Sequence, residues 1–123
     1  MSFNYNHITL VGRLTRDADV KDVSGRFRTT FNLAINRPYR KEDGEFDTDF
    51  ITVVAWGKLG EVAAEYLKKG NPVLVEGRLQ IRQYEKNKEP RWITEVVAEN
   101  FQMLGGAKHR SEEVKEEVSV SVE

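Results

Sequence analysis

The sequence predicts an all-β domain: a five-stranded Greek-key barrel with one helix between strands three and four. Three observations carry this expectation. Residues 27–35 alternate with a period of two, and residues 50–56 and 73–81 divide at the same period into an aliphatic face and a face of other character. A single stretch, residues 59–69, carries an apolar stripe at helical spacing. Glycine, proline and charged clusters break the remainder into short pieces.

The first strand covers residues 7–14, where Ile8, Leu10, Val11 and Leu14 stand among polar residues and Gly12 marks a bulge or a close backbone approach. Residues 21–26 read as a polar turn punctuated by Ser24-Gly25. In the second strand Phe27, Thr29, Phe31, Leu33 and Ile35 point one way, and Arg28, Thr30, Asn32 and Ala34 the other. Residues 37–49 read as a long loop, of the kind that often carries function. The third strand, 50–56, leads into Gly57. The helix places Leu59, Val62, Ala63, Tyr66 and Leu67 on one stripe, with Glu61 early and Lys68 and Lys69 late, as the helix dipole favours. Gly70 and Pro72 end it. The fourth strand, 73–81, contains Gly77; residues 85–91 form a charged hairpin tip, and 92–104 the last strand. Three strands, one helix and two strands is the OB-fold order. A small sandwich is the structural alternative.

The 123 residues fit one domain. Its expected span is 1–106, closed by Gly105-Gly106, followed by an acidic tail over 107–123 without a core-forming pattern. The ending Val118-Ser-Val-Ser-Val122 also suits an edge strand. There is no cysteine, which removes disulfides, thiolate nucleophiles and cysteine metal sites, and fits a reducing compartment. Residues 1–7 lack the pattern of a signal peptide, and no apolar run approaches a membrane span. The expectation is a cytoplasmic protein without a membrane partner.

Net charge is −1, with 16 basic and 15 acidic side chains in residues 1–106. Such a chain is poorly suited to gripping duplex DNA through phosphates alone. Its aromatics suggest another route. Phe50, Thr52, Val54 and Trp56 share one face of the third strand, and Ile51, Val53 and Ala55 the other. The aliphatic set suits the barrel interior, which leaves a large ring at each end of the outer face. On the fourth strand Val73, Val75, Gly77, Leu79 and Ile81 suit the interior, and Arg78 and Arg82 followed by Tyr84 suit an outer track. Residues 37–49 add Arg37, Tyr39, Arg40 and Lys41, and Trp92 stands near the second hairpin. Rings stack on bases while cations contact phosphates. The candidate stacking set is therefore Tyr39, Phe50, Trp56, Tyr84 and Trp92, and the candidate phosphate-binding set is Arg37, Arg40, Lys41, Arg78 and Arg82. Plainer readings exist for each. Phe50 and Trp56 also suit a core or an oligomer interface. Tyr84 and Trp92 also suit a cross-strand pair, and the arginines a solvated face. Phe27, Phe31 and Phe101 are assigned to the core or its rim.

Catalysis finds little support. His7 and His109 are the two histidines, no phosphate-binding glycine loop precedes the helix, and no cofactor is expected. The acidic cluster Asp43, Glu45, Asp47 and Asp49 does not follow calcium-loop spacing and reads as solvated rather than as a metal site.

Five segments together resemble the bacterial single-stranded DNA-binding proteins: Asn6-His-Ile-Thr-Leu-Val-Gly-Arg-Leu14, Thr30-Phe-Asn-Leu-Ala34, Val54-Ala-Trp-Gly-Lys-Leu-Gly-Glu-Val-Ala-Ala-Glu-Tyr-Leu-Lys-Lys-Gly70, Val75-Glu-Gly-Arg-Leu79 and Gln102-Met-Leu-Gly-Gly106. The resemblance implies an OB-fold, a homotetramer, and non-enzymatic protection of unpaired DNA in replication, recombination and repair at the nucleoid. It places the family's stacking positions on Tyr39, Phe50, Trp56 and Tyr84. The family favours tryptophan at the first, second and fourth of these; the ring types here differ, and the stacking role carries over because any aromatic face can stack. Family members end in an acidic tip finishing in Pro-Phe, through which replication and repair proteins are recruited. Here Glu112, Glu113, Glu116 and Glu117 supply acidity, and the sequence finishes Val120-Ser-Val-Glu123 without the phenylalanine. Two rivals share the fold: a primosome-type accessory protein, which would be dimeric, and a protein-interaction OB module whose rings bind peptide.

Overall fold

The computed structural model describes residues 3–104 and the backbone of Ser119–Ser121. Its elements are β1 (Ile8–Leu14), β2 (Asp19–Val23), β3 (Arg26–Arg40), β4 (Phe46–Trp56), α1 (Gly57–Tyr66), β5 (Pro72–Lys86), β6 (Glu89–Met103) and β7 (Ser119–Ser121). β1 pairs along β5, β5 with β6, β6 in parallel with β4, and β4 with β3. The ring closes where Arg13 and Leu14 of β1 meet Ala34 and Leu33 of β3. This is the five-stranded OB barrel, with the helix between its third and fourth strands as expected.

One face of each barrel strand fills the interior. Phe31 and Leu33 of β3, Val53 and Ala55 of β4, Val73 and Val75 of β5, and Val96 and Phe101 of β6 are buried together. Helix α1 covers one end of the barrel with Leu59 and Ala63, and Leu67 completes the cluster. Its contact with β4 is close: a Cβ on Gly60 would lie 2.4 Å from the Ala55 carbonyl oxygen. The buried Thr29 hydroxyl donates to the Gly60 carbonyl at 2.6 Å, tying the helix to β3.

Several expectations need correction. The turn expected at 21–26 contains most of β2, which pairs with β3 from Asp19↔Thr30 to Val23↔Arg26. All five of its residues are exposed, so no burial alternation marks it. The long loop expected at 37–49 is mostly strand. β3 runs to Arg40 and β4 begins at Phe46, around a tight turn closed by Lys41 N–H to Glu45 O (2.8 Å) and Gly44 N–H to Lys41 O (2.9 Å). The ladder shifts register between Asn36 and Arg40, and Pro38, which has no N–H to offer, stands inside that shift. The hairpin tip at 85–91 is likewise a two-residue turn, with Asn87 and Lys88 both at positive φ (54° and 65°).

The helix is shifted against expectation. It spans Gly57–Tyr66, and Leu67 is already extended, so Lys68 and Lys69 lie beyond its last turn and Glu61 lies outside its first. On β5 the interior pattern stops at Gly77. Val73 and Val75 are buried, but Leu79 and Ile81 are exposed, because the β1 pairing ends at Gly77 and, past Gln80, β5 and β6 continue alone as a two-stranded ribbon. On β4, Val54 belongs to the outer face yet is buried between Thr30 of β3 and Val97 of β6. Of the expected tail at 107–123, only Ser119–Ser121 falls within the described residues; there it forms β7, paired antiparallel with Asn100–Gln102 of β6. The remainder lies outside the described residues.

Candidate nucleic-acid interface

Residues directly paired across a ladder project to the same face. The registers Arg28↔Trp56 and Ala34↔Phe50, Thr52↔Glu95 and Val54↔Val97, then Arg78↔Val97, Gln80↔Glu95, Arg82↔Ile93 and Tyr84↔Arg91 therefore define one continuous outer surface. Phe50, Trp56 and Tyr84 all stand on it, with Arg28, Arg78, Arg82 and Arg91. Phe50 is 68% exposed and Tyr84 42%, so both offer ring area to a ligand.

Trp56 is the best-furnished ring. The Arg26 and Arg28 guanidinium carbons lie 4.9 and 5.9 Å from its ring centroid, within cation–π range. A hollow of about 390 Å³ beside it is lined by Arg26, Leu59, Arg78, Gln80 and Glu99. A second hollow joins Trp56 to Arg28, Arg82 and Glu95. Neither Arg26 nor Arg28 was among the candidates drawn from sequence. The signal for Arg28 was present in its outward position on the second expected strand, but only the pairing of that strand with β4 brings it to Trp56.

Tyr39 stands 56% exposed on the ribbon formed by β3 and β4 beyond the barrel. The cations beside it are largely occupied. Arg37 donates to both oxygens of Asp49, from Nε at 3.2 Å and Nη2 at 3.0 Å, and approaches Asp47 at 4.0 Å. Lys41 pairs with Asp47 at 3.7 Å. Arg40 lies 4.4 Å over the Phe46 ring and donates to the Gly44 carbonyl at 2.7 Å. On β5, Arg78 donates to Gln80 at 3.1 Å, and Arg82 is held by Glu95. The expected cationic track is thus partly neutralised from within, and the rings carry a larger share of what the surface can offer.

The structure does not bring Trp92 to this surface. Trp92 pairs with Gln83, and Thr94 with Ile81, on the face that leads into buried Val96. It is therefore opposite Tyr84, which removes it from the stacking track and also rules out a Tyr84–Trp92 cross-strand pair. The acidic cluster is spent on structure as well: Asp47 and Asp49 take the ion pairs above, and the Asp43 carboxylate accepts from Glu45 N–H at 2.9 Å. Among the described residues, no group of three or more His, Cys, Asp or Glu is gathered to hold a metal ion.

The Arg37–Asp49 pair has a measurable signature. The hydrogen bond from Arg37 is the main cause that holds the Asp49 carboxyl below the ordinary carboxylate range. A depressed folded-state value stabilises the ribbon above the ordinary carboxylate range, and that contribution is lost as pH falls through the lowered value. Carboxyl NMR should show Asp49 titrating below the ordinary carboxylate range, and Arg37→Met should return it to that range. An Asp49 midpoint that ignores this substitution would mean the pair does not persist in solution.

Comparison with known proteins matches residues 5–104 to the model of the single-strand binding protein family. The chain belongs to this family. A single-stranded DNA-binding protein of Streptococcus pneumoniae serotype 4 is 46% identical over 101 residues, covering 80% of this chain and 65% of that protein. Another from Enterococcus faecalis is 46% identical over 101 residues, covering 80% of this chain and 54% of its own length. The chain thus spans less than two thirds of these two family members. The solved "Plasmodium falciparum SSB complex with ssDNA" superposes with a TM-score of 0.74 at 29% identity, covering 85% of this chain and 99% of that one.

Proposed function

We propose that this chain binds single-stranded DNA with little sequence preference, by stacking bases on Tyr39, Phe50, Trp56 and Tyr84 and by contacting phosphates from the arginines between them. In this role it protects unpaired DNA during replication, recombination and repair at the cytoplasmic nucleoid. The observation that carries the reading is the single outer surface on which exposed Phe50 and Tyr84 and half-buried Trp56 stand among arginines. Stacking is worth about 1–3 kcal/mol per base and ignores base identity, which suits a surface whose cations are partly paired. Duplex DNA offers no free base faces to such rings.

Two features favour a homotetramer. β1 pairs with β5 along Ile8–Arg13, while its pairing with β3 is confined to Arg13 and Leu14, so most of its other edge is open to a further strand. Leu79, Ile81 and Trp92 leave an exposed apolar strip on the ribbon face opposite the DNA track. Recruitment of replication and repair proteins by the acidic tail is the remaining part of the family role.

Trp56 and Trp92 are the two tryptophans, and they stand on opposite faces, so fluorescence separates them. Titration with oligo-dT should quench emission strongly where duplex of equal length does not. The quench should survive Trp92→Phe and be largely lost in Trp56→Phe. Full quenching by duplex, or none by the single strand, would count against the reading.

A further inference from the structure

Glu95 occupies an unusual place. It belongs to the outer surface by register, between Thr52 of β4 and Gln80 of β5, yet it is only 3% exposed. Its two carboxylate oxygens accept from Arg82 Nε at 3.2 and 3.1 Å. The Arg82 side chain is 40% exposed, and because both bonds use Nε, the outer edge of its guanidinium is left for another acceptor. The pair lies beside Trp56 and Arg28 and, along β5, leads to Tyr84.

Burial sets this pair apart. In the other ion pairs of the described residues the carboxylates of Asp47, Asp49 and Glu89 are 43%, 47% and 68% exposed. An exposed carboxylate released by its partner returns to water at little cost. A buried one has no such refuge, and breaking its pair leaves an uncompensated charge. When a polyanion arrives, Arg37 can therefore exchange Asp49 for phosphate, whereas Arg82 keeps Glu95.

We propose that Glu95 is a built-in counter-anion of the single-strand track. It cancels the charge of Arg82 and fixes its guanidinium, so that Arg82 recognises a phosphate by the direction of its outer N–H groups and adds almost nothing to the salt dependence of binding. Arg78, whose side-chain partner is the neutral Gln80, behaves instead as a full cation. Glu95 touches no DNA and is a positioning residue. The inference rests on the single-strand reading above.

The test is the slope of log affinity for oligo-dT against log salt, measured for three chains: the unaltered protein, Glu95→Gln, and Arg82→Gln combined with Glu95→Gln. Each uncompensated cation that meets a phosphate steepens the slope by about 0.7 on a single strand. Glu95→Gln should steepen it by that amount and tighten binding about fivefold at low salt, the gain from one unit charge near contact in water. The double variant exchanges a neutral ion pair for a neutral amide pair. Its slope should equal that of the unaltered chain even though its affinity falls. An unchanged slope in Glu95→Gln, or a double variant shallower by about 0.7, would overturn the inference. Thermal melting checks the fold of each variant, and if Glu95→Gln alone is unfolded the double variant still decides. Failure of the unaltered chain to bind oligo-dT at all would remove the single-strand reading itself, before any variant is compared.

Discussion

Trp56→Ala should weaken binding to oligo-dT by about 1–3 kcal/mol, a loss of roughly fivefold to a hundredfold and more, while the protein remains folded. The ring stands at the end of β4 on the outer surface, and its neighbours Val53 and Ala55 reach the core without it. Removing it empties the floor on which a base would stack and also releases Arg26 and Arg28 from their cation–π contacts. The second effect costs stability modestly, about 0.5–1 kcal/mol at an exposed site. Trp56→Phe should retain much of the affinity, because a smaller ring still offers a face. Binding by anisotropy and melting by circular dichroism must be read together. A variant that unfolds would make Trp56 a core residue, and one that binds normally would make it a bystander.

Gly77→Ala should destabilise the domain by an amount on the order of 3 kcal/mol. A Cβ there would lie 2.1 Å from the Val97 carbonyl oxygen, 2.9 Å from its carbon and 3.0 Å from the Ala98 Cα. All three are backbone atoms of the paired strand, so no side chain can swing aside. The ladder between β5 and β6 already shifts between Glu76 and Gly77, and the barrel bends there into its outer ribbon. Relief would require β6 to move from β5 at the point where Phe101 and Val96 enter the core. Urea unfolding measures the loss directly. A midpoint equal to that of the unaltered chain would show that the strands part more easily than their spacing suggests.

Sequence reasoning succeeded where a strand is wet on one side and buried on the other. Residues 27–35 show the period of two because Phe31 and Leu33 face a core while Asn32 does not, and 50–56 keep it in their faces, with Val53 and Ala55 inward and Thr52 outward. It failed where both sides are wet. Asp19–Val23 and the outer reaches of β3 and β4 carry no alternation, because neither face of them covers a core, and backbone pairing leaves little trace in side-chain pattern. The same cause misplaced Leu79 and Ile81, whose spacing continues the interior pattern after the interior has ended. Of the outer surface, the placement of Phe50, Trp56 and Tyr84 on one face is legible from the period of two within their own strands. Trp92 was misjudged because its face depends on pairing with Gln83, and Arg26 and Arg28 were missed because their proximity to Trp56 is a matter of register across strands. The pairing of Arg37 with Asp49 spans a hairpin whose polar, charged residues carry a loop's composition.

The ribbons that carry β3–β4 and β5–β6 past the barrel have a consequence for tolerance of substitution. Tyr39 and Tyr84 stand exposed on the ribbons, outside the core, whereas Leu33 and Phe101 are enclosed within it. An exchange of one ring for another on a ribbon should leave folding nearly untouched. The same exchange in the barrel is tested first by survival of the domain. One strand thus carries two degrees of tolerance: its outer reach should accept a change of ring that its inner reach, packed in the barrel, should not.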